Sequence, residues 1–200
     1  MSTRVDLPLL EGDARERADA ARNRERILCS AARLFSERGA DCVSMDDVAE
    51  AAGVGKGTVF RRFGSRAALA QAVLSEQERD FQEEIIRGQP PLGPGTPPRE
   101  RLVAFGEGVL DQLERHSLLI VAAEVGGARF LSAPYAFYRL HVMLLLREAD
   151  PTCDAELLAE LLLASLTADL FVYLRHGRSL PLARLKASWR ELVERTLSHA

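Results

Sequence analysis

The stretch Ala51 to Ser65, AAGVGKGTVFRRFGS, sets three glycines around a lysine and a threonine and then turns aromatic and basic. These residue types can hold phosphate: glycine lets a backbone come close, lysine supplies a point charge, and arginine offers paired donors. The phosphate could belong to a nucleotide or to DNA, and the spacing separates the two. A nucleoside-triphosphate loop needs G-x-x-x-x-G-K followed by Ser or Thr, on a turn from strand to helix. Here Gly57 follows Lys56, and the first required glycine falls on Glu50. The dinucleotide pattern G-x-G-x-x-G fails as well, because its last position falls on Thr58 or Phe60. The residues ahead of the glycines also read as helix, whereas both nucleotide motifs need a strand there.

Other chemistry is sparse. His116, His141, His176 and His199 show no ligand spacing, so no metal site is expected. Cys29, Cys42 and Cys153 form no CxxC pair and suit a reducing cytoplasm; Cys29 reads as a buried residue of the first helix. No nucleophile, base and orienting group come together, so no catalytic residue and no cofactor are expected.

The 200 residues are 47% hydrophobic and 28% charged with a net charge of −3, as in an ordinary soluble chain. The first 21 residues carry no signal-peptide run, and Glu160 and Asp169 interrupt the longest apolar region, Leu157 to Leu174. Secretion and membrane spanning are therefore not expected. The charge is uneven: Arg22 to Arg66 holds nine basic against six acidic residues, while Ala67 onward holds fourteen against eighteen. A small basic module on an acidic body fits a protein that meets a polyanion at one end.

The elements that must position these residues all read as helices. Ile27, Ala31, Leu34 and Phe35 give Arg22 to Arg38 one apolar stripe, closed by Gly39. Ser44-Met45-Asp46-Asp47 starts a short second helix as a capping box, and Gly53 supplies the turn after it. A third helix, Gly55 to Phe63, buries Val59 and Phe63 and leaves Lys56, Gly57, Phe60 and Arg61 on other faces. Ser65 caps a long fourth helix to about Arg87, and the proline-rich run Gln89 to Pro98 is a loop. Helices follow over Arg99–Arg115, Leu118–Val125 and Pro134–Glu148. Cys153 to His176 reads as one helix apolar nearly all round, and Leu182 to Leu197 has a single stripe.

Helix, glycine turn and short helix is the helix-turn-helix arrangement. The run from Ser44 to Leu69, SMDDVAEAAGVGKGTVFRRFGSRAAL, closely resembles the DNA-binding domain of the tetracycline-repressor (TetR) family, and RILCSAARLF from Arg26 to Phe35 resembles that family's first helix. The resemblance implies an all-α chain of about nine helices. It divides into a tail over 1–21, a three-helix DNA-binding domain over 22–66, and a helical ligand-binding and dimerisation domain over 67–200. The protein would be a homodimeric transcriptional repressor in the cytoplasm, released from a palindromic DNA operator by a small lipophilic effector.

By the same resemblance, the third helix would enter the major groove, with Lys56, Gly57, Thr58, Phe60, Arg61 and Arg62 at the contacting positions. Arginine or lysine can pair with guanine, and a threonine methyl with thymine. Ser44, Arg66 and Arg26 would hold phosphates, and Gly55 would leave the first amides of the third helix open. Three positions depart from the family pattern. Phe60 stands where a tyrosine is usual, Gly55 where a serine often caps, and Gly64 where a proline is common.

In the C-terminal domain Phe105, Phe130, Tyr135 and Phe137, with Tyr138, His141 and Phe171, could line an effector pocket. Helical spacing also allows them to be core. Glu107, Asp111 and Glu124 would favour a cation if they pointed inward. The apolar helix and the last helix are the expected dimer surface, through Leu158, Leu162, Leu166, Trp189 and Val193. A DNA-binding regulator without an effector is the first alternative, and an enzyme or small-molecule carrier the second.

Overall fold

The computed structural model describes residues 11–39, 42–123, 130 and 132–198, and among them no strand occurs. The helices are α1 (Glu11–Arg38), α2 (Met45–Ala52), α3 (Lys56–Phe63), α4 (Arg66–Arg87), α5 (Pro98–Ala123), α6 (Ala133–Ala149), α7 (Ala155–Ala164), α8 (Ala168–Val172) and α9 (Leu182–Leu197). The chain divides into two compact units between Val73 and Leu74, inside α4, seven residues beyond the expected boundary.

In the first unit α1 begins at Glu11, where a tail was expected. Residues 11–21 are mostly Ala, Glu, Asp and Arg, and Ala, Glu and Arg propagate a helix without needing an apolar stripe. Ile27, Ala31, Leu34 and Phe35 of α1, Val48 and Ala52 of α2, Val59 of α3, and Leu69 and Val73 of α4 are all buried. Ser44 starts α2 as the capping box requires: its hydroxyl accepts from the Asp47 amide at 3.1 Å, and its own amide donates to Asp47 Oδ2 at 2.8 Å. Gly53 ends α2 with φ of 62°, a left-handed conformation that other residues resist.

In the second unit α5 is continuous where two helices were expected. His116 and Ser117, at the expected break, are buried and stay helical. Val125, the end of the second expected helix, lies outside the described residues. Cys153 to His176, by contrast, is broken. The Ser165 hydroxyl donates to the Leu162 carbonyl at 2.7 Å, and Thr167 turns extended to start α8. Such local side-chain bonds offer the backbone an alternative to the helix ladder. A π-helical turn, Tyr173–Gly177, follows α8.

Ala155–Gly177 is apolar and long enough to cross a membrane by length and composition, with mean hydropathy 1.8 over its most apolar window. Only 28% of that window is buried, so much of its surface needs cover from outside the unit. The core of the unit runs from Phe81 and Ile85 of α4 through Phe105 and Leu102 of α5 and Val142 and Leu146 of α6 to Trp189 and Val193 of α9. Around it, Lys186 meets Asp111 at 2.7 Å, Arg99 meets Glu194 at 2.7 Å, and Arg175 donates to Glu114 at 2.8 Å.

Candidate nucleic-acid interface

Helix α3 presents one face inward and the rest outward. Val59 is fully buried, Phe63 half-buried, and Phe60 48% exposed. Lys56, Gly57, Arg61 and Arg62 are exposed and Thr58 half-buried, so the positions expected to meet DNA share the outer surface. Gly55 caps α3 with backbone alone and makes no side-chain hydrogen bond, leaving the first turn free of a competing acceptor. Gly64 ends the helix with φ of 75°, a conformation proline could not take. Arg66 is exposed at the start of α4.

The basic side chains differ in what they already hold. Arg61 makes no hydrogen bond or ion pair among the described residues. Arg62 donates to the carbonyl of Ala20, in the N-terminal part of α1 ahead of the expected helix start at Arg22. Lys56 Nζ lies 2.6 Å from Asp46 Oδ2, and that hydrogen bond raises the lysine pKa, with Glu50 and Asp47 adding in the same direction. Hydrogen bonds from Ser44 hold the Asp47 carboxyl below the usual range, so the first turn of α2 stays anionic.

Two expected phosphate holders are already engaged. Arg26 donates to the carbonyls of Ala52 and Gly53, and therefore caps the C-terminus of α2 where unpaired carbonyls concentrate negative charge. Arg26, expected to hold a phosphate, thus holds carbonyls of its own unit. The Ser44 hydroxyl donates to Asp47 Oδ2 at 2.6 Å while accepting the Asp47 amide, so it works within its own capping box.

The expected pocket residues separate into three places in the second unit. Phe105, Tyr138, Phe137 and His141 form one cluster: Phe105 stands edge-on to Tyr138 at 5.2 Å and tilted to His141 at 5.4 Å, and Phe137 stacks on His141 at 6.5 Å. Tyr138 donates to Glu78 Oε2 at 2.8 Å, and burial pushes its pKa up. Phe130 and Tyr135 pair edge-on at 5.2 Å. Phe171 instead lines an open apolar groove of about 170 Å³ with Leu110, Leu166, Leu170, Leu185 and Trp189.

Two imidazoles in this unit are buried with one nitrogen unbonded among the described residues, His116 Nδ1 and His141 Nε2. Burial lowers both pKa values, that of His141 to about 4 with Arg101 acting in the same direction. Neither Glu107 nor Asp111 is free for a cation: Glu107 accepts from Arg190 and Asp111 from Lys186. Glu124 lies outside the described residues.

The residues expected at a dimer surface differ in burial within their own unit. Leu162, Leu166, Trp189 and Val193 belong to the core of their own unit, and Leu158 is partly buried against it. The apolar side chains left outside are their neighbours: Leu157 and Leu161 of α7, 55% and 59% exposed, then Tyr173 and Leu192. On α6, Leu140 and Leu144 are exposed too. A helix apolar all round gives no periodic signal for which side is covered, so only the fold separates the two sets.

A basic short helix with two aromatics, held outward after a glycine turn, defines a helix-turn-helix protein. Residues 27–73 match the family model described as bacterial regulatory proteins, tetR family. The chain is 39% identical over 62 residues to an uncharacterized HTH-type transcriptional regulator of Mycobacterium tuberculosis, covering 31% of each chain. It is 29% identical over 103 residues to the HTH-type transcriptional repressor KstR2 of Mycolicibacterium smegmatis, over 50% of this chain and 48% of that one. These matches span less than half the length of either relative.

The fold extends the likeness along the chain. A transcriptional regulator from Saccharomonospora viridis in complex with choline superposes with a TM-score of 0.67 at 21% identity, covering 86% of this chain and 95% of that one. The regulator FadR of Bacillus subtilis in complex with stearoyl-CoA gives 0.63 at 15% identity, over 84% and 96%. Residues 27–73 therefore resemble the DNA-binding domain of the TetR family of transcriptional regulators, and the fold of the rest is that of such solved regulators.

Proposed function

We propose that this chain is a cytoplasmic repressor that binds a palindromic operator as a homodimer, reads each half-site with α3, and is released by a small lipophilic effector held in the second unit. The observation that carries the DNA reading is the outward face of α3, where Arg61 is open and Phe60 is half-exposed above a fully buried Val59. An arginine with no partner among the described residues can donate two hydrogen bonds to O6 and N7 of a guanine, and the Phe60 ring can lie on a sugar or a thymine methyl. Twofold symmetry supports the palindrome, because two α3 helices then enter successive major grooves.

Support for the dimer comes from Leu157, Leu161, Tyr173 and Leu192, apolar side chains that a second copy of the same surface would cover. The effector is supported by the unbonded nitrogens of His116 and His141, since buried polar atoms ordinarily have partners. The tight ring packing of Phe105, Tyr138 and His141 favours the second reading, a regulator with no effector.

Selection of bound sequences from random duplex DNA tests the first reading. A palindromic consensus is expected, and Arg61→Ala should weaken binding to it by about 1 to 3 kcal/mol. Recovery of no consensus would sink the operator reading. Repeating the selection with a panel of lipophilic compounds separates the two readings: release by one of them supports an effector, and release by none supports the regulator without one.

A further inference from the structure

We propose that Asp46 is a specificity-setting residue, a built-in competitor that holds Lys56 away from DNA phosphates until a matching base is in reach. The inference rests on the DNA reading proposed above and names a residue that lies outside the expected contact set.

Lys56 is the first residue of α3 and Asp46 the second of α2, and their side chains meet at 2.6 Å although both are largely exposed. In a docked helix-turn-helix, the N-terminal residues of the second helix face the base edges. The lip that would approach the duplex therefore carries a cation already occupied by a carboxylate. Glu50 and Asp47 add negative potential at the same lysine, and the hydrogen bonds from Ser44 keep Asp47 ionised.

A free lysine there would bind any phosphate, because phosphate contacts carry no sequence information. With Asp46 in place, Lys56 must break an ion pair before it can make one, and an exposed pair of this kind is of the same order as one phosphate contact. Non-cognate DNA then offers nothing better than Asp46 already does. A guanine, which accepts at both O6 and N7, offers more. Asp46 left behind would face the phosphates as an unpaired like charge, a repulsive element against the wrong partner.

The test uses the full-length protein and a fluorescent duplex of random sequence, titrated from about 50 to about 200 mM salt. Asp46→Asn keeps the side-chain shape and lies outside the core, and thermal unfolding checks that the variant is folded. It should bind this duplex about five-fold tighter, with a log–log salt slope steeper by about one. In a Lys56→Gln background the same change should have no effect. Equal tightening in both backgrounds would mean that Asp46 acts only as a negative charge near DNA, and would overturn the proposal. An unchanged slope and affinity in Asp46→Asn would overturn it too. If the wild-type chain binds no DNA at any salt, the DNA reading itself falls and this inference falls with it.

Discussion

The indole of Trp189 occupies the space that a side chain on Gly106 would need: a Cβ built there would lie 1.9 Å from the ring. The ring is buried, and its Nε1 donates to the carbonyl of Val103 at 3.1 Å. Helix α9 thus sits on a notch in α5. Gly106→Ala should force the two helices apart and destabilise the chain by about 3 kcal/mol, the upper end for overpacking. Trp189→Ala should cost about 3 to 5 kcal/mol through the cavity it leaves. Urea unfolding measures both, and a Gly106→Ala variant as stable as wild type would contradict the close approach.

The Arg26 guanidinium and Gly53 form one device. Arg26 holds the last carbonyls of α2, and a Cβ on Gly53 would fall 2.9 Å from the Arg26 Nη2 while forcing a left-handed φ on a branched backbone. Arg26→Ala should lower stability by about 1 kcal/mol and, if its bonds to the end of α2 persist on DNA, leave the salt slope of binding unchanged. A slope reduced by about one would return Arg26 to the DNA contacts.

On the proposed dimer, Leu157 and its neighbour by one turn, Leu161, carry association, whereas the buried Leu162 carries folding. Leu161→Glu should leave the melting temperature of the isolated subunit near wild type and shift sedimentation from dimer to monomer. Leu162→Ala should destabilise by about 2 to 5 kcal/mol, as a buried leucine truncation does. A Leu161→Glu protein that remains dimeric would move the interface elsewhere.

His141 makes stability fall on the acid side. Its folded pKa is lowered from 6.5 to about 4 by burial, so the unfolded chain takes up its proton first as pH drops. The contribution is fully present above 6.5, is lost as pH falls through the window from 6.5 to about 4, and amounts to roughly 3 kcal/mol over that span. His116, lowered in the same direction, adds to it. Urea midpoints at neutral and mildly acid pH should therefore converge in His141→Leu compared with wild type, and an unchanged acid loss would rule out this histidine as the cause.

Local chemistry was legible in the sequence and lateral chemistry was not. Ser44 with Asp47, and Gly53 after Ala52, announce where α2 begins and ends, because a cap is made within a few residues. Val59 was readable as core from its helical spacing. The N-terminal part of α1 escaped notice because its residues favour a helix by propensity without an apolar face. The break at Ser165 escaped because a run of leucines masks one hydroxyl. The pairing of Lys56 with Asp46, the capping by Arg26, and the choice of Leu161 over Leu162 as the open side chain each depend on the angle between two helices. No spacing along one helix encodes that angle.

The bare ring of Phe60 has a consequence for heredity. Phenylalanine and tyrosine codons differ by one base, and the two side chains by one oxygen, placed here on the exposed face of α3. A point change in the gene would set a hydroxyl on that exposed face and, on the proposed DNA reading, add a phosphate anchor without disturbing the fold. On the DNA reading proposed above, affinity for all sites at once is then open to adjustment by selection, independently of which sites are preferred.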